Sequence, residues 1–508
     1  MQAIFICIFD SKLLAKQPSN YYFMNNSKLL LLLKSIDKSK FKKLIDFSKN
    51  PYFNTNDKVI LLVKYITKYA PDFEHEALLK AKCFKAIFPR ETFNDSKLRK
   101  VMSRSFKLIE QFVLYQEIEQ KEYLQEAILT RYYRANNIES LFVQKAKSWE
   151  QKLDSLRIEE QYFQQYEFSY EQANMLSEQV LKNMNKQGKI EYYNKIQETI
   201  NSLQHFFFFR ILYLYSTLQV YAFSINIATP KEEMLSFVQQ INEDVLKEHP
   251  FILFYYKTLL MLIHEDNDEH YQTLQKRVKN YAFEEKDKFF IEQLYKTLEL
   301  YCIRKIKKGE DEYYEELFGL YMYELEHNLT FIEGDFMPVK YRNIVAAGLK
   351  VNQFDKVKEF IQTYSPQLPK ELSEGLSNYS MALLHLHQKK YKNALEFLHQ
   401  VDTKGDLILK INIKRILIMI YYELNEIDVL DSSMNAFRTS MSRDEHVSNH
   451  RKTTNQNFIN ILYRLINTQL NDLEKLHRIK SELESEKIIE EREWLLEKVN
   501  QRILIEQT

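Results

Sequence analysis

Glycine and proline are nearly missing from this chain of 508 residues, which has 7 Gly and 9 Pro. Turn-rich sheet proteins need many more of both, so the scarcity points to long helices with short connections. Cysteine is rarer still: Cys7, Cys83 and Cys302 are far apart and odd in number. That excludes a disulfide framework and a paired-cysteine metal clip, and it fits a reducing compartment, here read as cytoplasmic. The glycines never cluster, so no backbone nest of either familiar phosphate-loop type is present. No GxSxG elbow and no HExxH pair occurs. Paired carboxylates abound on solvated helices, and nothing in the sequence selects a catalytic pair among them. A non-catalytic protein without cofactor is the expectation.

Two stretches come nearest to a metal motif. DEHVSNH sets His446 and His450 one helical turn apart beside Asp444 and Glu445, but no third ligand is identifiable. HEDNDEH at 264–270 starts like a calcium loop, yet Tyr271 stands where the loop needs Gly and Arg277 where it needs Glu. No metal site is expected. His385, His387 and His399 read as core or groove residues.

What the chain does have is apolar and charged residues in ordinary globular proportion, 45% and 28%. Its length implies roughly two to four compact units. The longest apolar run is HFFFFRILYLYSTLQVYAFSINI, at 205–227. Arg210 cuts it, and Ser216, Thr217, Gln219, Ser224 and Asn226 dilute it. A spanning helix needs about 20 predominantly apolar residues, so no membrane span is expected. A helix packed between neighbours, apolar on most sides and ended by Pro230, is expected instead. At the start, MQAIFICIFDSK has a short apolar run with no basic residue before it, whereas Met24 opens MNNSKLLLLLKSI. Residues 1–23 are expected to be a poorly ordered extension, with a cleaved or anchoring leader as the alternative.

The net charge of +1 hides an asymmetry: residues 1–116 hold 21 Lys/Arg against 10 Asp/Glu, a surplus of 11, and the remainder has a deficit of 10. Such a basic end suits nucleic acid, an anionic membrane surface, an acidic partner, or the chain's own acidic body. The end itself reads as a helical module. Asp37 is placed to cap FKKLIDFSK, Asn54 or Thr55 to cap DKVILLVKYITKY, and Asn94 to cap DSKLRKVMSRSFKLIEQFV. EHEALLKAKCFKAIF reads as one further helix stopped by Pro89. Along the last helix Leu98, Met102, Ile109 and Val113 form an apolar stripe that Ser105 interrupts. Lys97, Lys100, Arg104 and Lys107 recur on another face.

The segment ALLKAKCFKAIFPRETFNDSKLRKVMSRSFKLI resembles the helix–turn–helix of winged-helix DNA-binding domains of bacterial regulators. The parallels are Leu78, Phe88–Pro89, Leu98 and Ser103–Arg104, with Lys107 in the basic position. Phe88 stands where those domains carry Trp, and no glycine-turned hairpin follows to make a wing. The resemblance implies nucleic-acid contact through Lys97, Lys100, Arg104 and Lys107; an acidic partner could use the same four.

Farther on, a break is expected near Asn136–Asn137, and an exposed amphipathic helix over 154–184. From about residue 250 the chain repeats one layout, in which an apolar helix, a polar turn, an apolar anchor and a second helix follow each other. The anchors Phe354, Tyr391 and Ile427 are 37 and 36 residues apart, with Tyr271 and Tyr314 as looser earlier members. A unit of this length that cannot bury its own face is the mark of stacked helical repeats. The middle unit resembles a tetratricopeptide repeat: Met381–Ala382 and Ala394 with Leu398 fall on the family's small and apolar positions. Tyr379 and Leu383 occupy the two sites where some members carry a Lys/Asn clamp for a peptide carboxylate, so that clamp is not carried over.

The expected fold is all-α, a right-handed α-solenoid of tetratricopeptide-like (TPR-like) helix hairpins behind a small basic N-terminal helical module. The divisions read from the sequence are the module at 24–116, long helices at 117–240, TPR-like repeats at 241–456 and capping helices at 457–508. The expected function is a scaffold or adaptor that binds a protein or peptide partner through the solenoid surface. The alternative is a DNA-binding transcriptional regulator whose residues 24–116 meet nucleic acid.

Overall fold

The computed structural model describes residues 27–180, 185–225, 227–329, 331–332, 335–402, 407–443, 447–469, 472–485 and 488–507. The expectations for residues 1–23, Cys7 and His446 lie outside them. The described chain is all-α; its only extended pairing is a ribbon of Phe331–Ile332 (β1) with Asp335–Phe336 (β2). Two compact units are present, 11–208 and 209–508.

The first unit begins with α1 (Lys28–Lys34), α2 (Phe41–Lys49), α3 (Asp57–Ile66), α4 (Lys80–Ile87) and α5 (Asp95–Gln120). Side-chain caps set the starts, each accepting an orphan amide hydrogen of the first turn. Asn94 accepts from the Lys97 amide at 2.9 Å, as its position predicts. Asp37 caps a single 3-10 turn, Lys38–Lys40, which then feeds α2. For α3 the cap is Asn56, one residue beyond the expected pair, because Asn54 is engaged with the Ser48 and Asn56 carbonyls. The expected helix over 74–88 is broken: the His75 ring caps a 3-10 turn at Glu76–Leu78, and Leu79 is extended (ψ 133°) before α4. A common core of Leu30, Leu44, Leu62, Phe84, Leu98, Ile109 and Phe112 joins the five helices. Ser105 lies in the stripe it was expected to interrupt and is fully buried.

Next come α6 (Glu122–Ala135), α7 (Glu139–Leu153), α8 (Ile158–Val180) and α9 (Lys186–Ser224), with the break at Asn137 where it is expected. Trp149 on α7 is fully buried and meets Phe168 of α8 edge-on at 5.6 Å. Arg131 and Arg134 of α6 pair with Glu167, Glu171 and Glu178 of α8.

The division between units falls within α9, between Phe208 and Phe209. This helix departs from expectation. Its buried stripe is narrow, made of Phe209, Leu212, Ser216, Gln219 and Ala222 at helical steps. Leu203, Leu214 and Leu218 are 44%, 55% and 44% exposed. Neighbours therefore cover one side of the helix, not most of it. Arg304 closes its end, donating to the Gln219 carbonyl at 2.9 Å with its guanidinium 4.4 Å from the Phe223 ring centre. By length and composition α9 is the one helix among the described residues able to cross a membrane, and 28% of its apolar window is buried.

The second unit continues with α10 (Lys231–Gln239), α11 (Pro250–Ile263), α12 (Asp268–Lys279), α13 (Lys288–Lys308), α14 (Tyr313–Glu326), α15 (Pro338–Lys350), α16 (Phe354–Tyr364), α17 (Lys370–His387), α18 (Tyr391–His399), α19 (Leu407–Glu423), α20 (Ile427–Arg443), α21 (Asn449–Ile466), α22 (Leu473–Ser485) and α23 (Arg492–Gln507). From α11 onward helices pack mainly on their neighbours in sequence, and α15 also packs on α17. The anchors Phe354, Tyr391 and Ile427 are each the first residue of a hairpin's second helix. Two residues before each, the backbone is left-handed: Asn352 (φ 56°), Lys389 (φ 58°) and Asn425 (φ 56°). The next amide then donates five residues back: Gln353 to Gly348, Lys390 to His385, Glu426 to Tyr421. This is the geometry that closes a helix end, and Asn tolerates it better than most residues do. Short returns therefore form in a chain that has little glycine. The anchors themselves are half-buried, Ile427 exposed; the core positions lie three residues on, at Val357, Ala394 and Leu430. At Gly348 a Cβ would come within 2.4 Å of Val357 and 2.7 Å of Phe318, so glycine is required there for close helix approach.

The one-sided burial of α9 has a direct check. Leu212→Ala removes a fully buried side chain and should cost about 2–5 kcal/mol, whereas Leu214→Gln should change stability by no more than about 0.5 kcal/mol. Equal losses in thermal unfolding of the two full-length variants would contradict this placement.

Candidate functional site

The first helices of three successive hairpins turn one face to a common cleft. Residues 342, 346 and 350 of α15, 379, 383 and 386 of α17, and 412, 416 and 419 of α19 are spaced by three or four, so each set lies on a single helix face. They enclose a cavity of about 130 Å³, bounded on another side by Tyr314 of α14 and by Glu490 and Glu491. Tyr379 and Leu383, the two clamp positions of the tetratricopeptide resemblance, both line it. Small Ala382 and Ala394 are fully buried. Larger hollows of about 530 Å³ over α3 and about 610 Å³ beside α11 and α12 are open troughs, not enclosed clefts.

The cleft carries buried charge. Arg415 donates from Nε to Glu491 at 3.1 Å and from Nη1 to Asn455 at 3.1 Å, with Glu490 at 3.7 Å. The side chains of Arg415 and Glu491 are 8% and 6% exposed. Burial alone would raise the Glu491 carboxyl; the guanidinium helps hold it well below the usual range. Lys350 pairs with Glu493. Next to them, burial pushes the His387 imidazolium down to about 4, so the ring is neutral at pH 7. His385 is partly buried and stacks on Phe397 at 5.4 Å, while His399 is exposed. Each cation is far in sequence from its carboxylate: Arg415 and Glu491 are 76 residues apart, Lys350 and Glu493 143.

A second buried charge cluster lies away from the cleft. Lys340 Nζ is 2.5 Å from both Glu299 and Glu324, joining α13, α14 and α15. One ammonium cannot neutralise two carboxylates. Burial, then the charge of Glu299, keeps the Glu324 carboxyl protonated well above its ordinary 4.5. The side chain of Glu324 is fully buried, and none of the hollows named above includes it, so the cluster ties hairpins together and offers no substrate access.

The four sequence-selected cations are all exposed on α5. The structure does not leave them equivalent. Lys97 is held by Glu91 at 2.5 Å and lies 4.5 Å over the Phe88 ring. Lys100, Arg104 and Lys107 make no ion pair among the described residues. Cys83 and Cys302 are buried and unbonded to each other, and burial raises both thiols to about 12. That removes the thiolate a nucleophile would need. Among the described residues no three His, Cys, Asp or Glu side chains are grouped to hold a metal ion. His450 is exposed.

Glu324 yields a pH prediction. A carboxyl with a raised folded value keeps its proton after the unfolded chain has lost it. Its contribution is complete below pH 4.5 and declines as pH rises toward the folded value. Glu324→Gln, which copies the protonated form, should raise the melting temperature at pH 8 and leave it nearly unchanged at pH 4. The opposite order would refute the assignment. Compared with known proteins, the chain matches no family model, no curated protein and no solved structure.

Proposed function

We propose that this protein is a non-catalytic, cytoplasmic scaffold or adaptor. Residues 241–456 act as a right-handed TPR-like solenoid, capped by residues 457–508, and the cleft over α15, α17 and α19 receives a segment of a protein partner. One observation carries this reading: three successive first helices present single faces to one cleft, and Tyr379 and Leu383 lie in it. A preformed groove of that kind suits a helix or an extended peptide, since neither the groove nor a helical ligand has much order left to gain. Leu383→Arg together with Ala346→Arg should remove the partner recovered by affinity capture with the full-length chain. Lys392→Glu, on the exposed face of α18, should not. Recovery of the same partner with the cleft variant would overturn the reading.

A second reading has an observation of its own. Lys100, Arg104 and Lys107 stand exposed on one helix and make no ion pair among the described residues, as phosphate-binding cations of a transcriptional regulator would. Each phosphate contact releases a counterion, so affinity for duplex DNA should drop steeply with salt, by roughly 0.9 in log–log slope per contact. Charge reversal at the three positions should abolish binding. No duplex binding by the full chain at low salt would sink this alternative.

A further inference from the structure

Two cations of the cleft, Lys350 and Arg415, draw counter-charge from one short piece of chain. Among the described residues, the acidic partners of Lys350 and Arg415 are Glu490, Glu491 and Glu493 only. The piece continues across the same face: the Trp494 indole donates to Glu423 of α19 at 2.8 Å and meets the Tyr422 ring edge-on at 5.3 Å. Glu497 comes within 3.5 Å of Lys389, at the corner between α17 and α18. Glu491 adopts a left-handed backbone (φ 51°) that a residue with a long side chain avoids unless its surroundings hold it there. Residues 488–498 thus contact three successive hairpins through side chains, as a bound acidic peptide would. Behind them, α23 is anchored in the core by Leu495, Val499 and Ile503.

We propose that the cleft is an acceptor for an acidic segment of a partner protein, and that Glu490, Glu491 and Glu493 occupy that segment's place in cis. This rests on the cleft reading above and names the chemistry of its partner. Exchange is like for like: the partner's carboxylates replace those of the chain on Lys350 and Arg415, and Leu495, Val499 and Ile503 keep the remainder of α23 seated. A segment tethered in cis acts at an effective concentration of order mM. An identical free peptide at about 1 μM is then outcompeted roughly a thousandfold. Weakening the tethered segment should therefore expose the acceptor.

The probe is a fluorescein-labelled synthetic peptide of residues 488–498, followed by anisotropy at low salt against the full-length chain. Glu490→Gln combined with Glu493→Gln, at the less buried positions, should bind it at least tenfold more tightly than the unaltered chain. Lys350→Gln added to that variant should cancel the gain. Glu491→Gln alone serves as a second weakened variant, with circular dichroism reporting that each remains folded. Equal affinity for the unaltered and weakened chains, or no binding by either weakened variant while folded, would overturn the proposal. So would a concentration-dependent dimer of the weakened chain that free peptide dissolves, since the occupant would then be a second copy. The two readings fail separately: if the peptide does not bind but capture still depends on Leu383, the cleft stands and the acidic partner does not.

Discussion

The way each hairpin closes governs the rest of the second unit. A helix ends with carbonyls that have no partner, and a second helix can pack back along it only if the return is short. At four of these returns a single left-handed residue is followed by an amide that reaches five residues back. It recurs at Gly309, Asn352, Lys389 and Asn425. A left-handed residue with a Cβ costs about 1–2 kcal/mol, less for Asn. That cost is met because the corner fixes the register between the two helices. With the register fixed, Val357, Ala394 and Leu430 fall at equivalent depths, and the first helices of successive hairpins can share one cleft.

Charge burial then ties one hairpin to the next. Lys340 reaches Glu299 and Glu324 on two preceding helices, Arg304 reaches Glu265 in the turn between α11 and α12, and Arg415 reaches Asn455 and Glu491. Such pairs add little net stability, because desolvation offsets most of the attraction. Their effect is felt when a hairpin shifts, since a misplaced neighbour leaves a buried charge alone at about 3–5 kcal/mol.

The sequence carried the local part of this design and little of the distant part. Helix starts at Asn94 and the break at Asn137 were legible because caps and left-handed corners use residues within three or four positions of each other. The spacing of Phe354, Tyr391 and Ile427 located the second helices, although it did not place the core, which lies three residues later. The helix expected over 74–88 failed because a histidine ring capped an amide inside it, a signal that propensity does not contain. For α9, composition announced burial, but composition cannot say on how many sides neighbours stand. The cleft's floor could be sensed only through Tyr379 and Leu383. Arg415, Lys350 and Glu491 had no local mark, since their relation exists only once hairpins have stacked and the chain has returned from position 490.

Under the proposed reading, the cleft's charge would also set how selective it is. A purely apolar groove would accept many amphipathic segments with similar affinity, because removal of apolar surface from water is non-directional. A guanidinium held at 8% exposure changes the balance. A segment that covers Arg415 without supplying a carboxylate leaves a desolvated charge unpaired, and the penalty exceeds what an extra apolar contact returns. Rejection of neutral and basic segments follows from the same atoms that would hold an acidic one. The tethered Glu490–Glu493 segment sharpens this further, because a competitor must match its charge arrangement before it gains anything by displacing it. Under that proposal, selectivity in this cleft would reside in a few buried charges, and the apolar residues around them would supply shape.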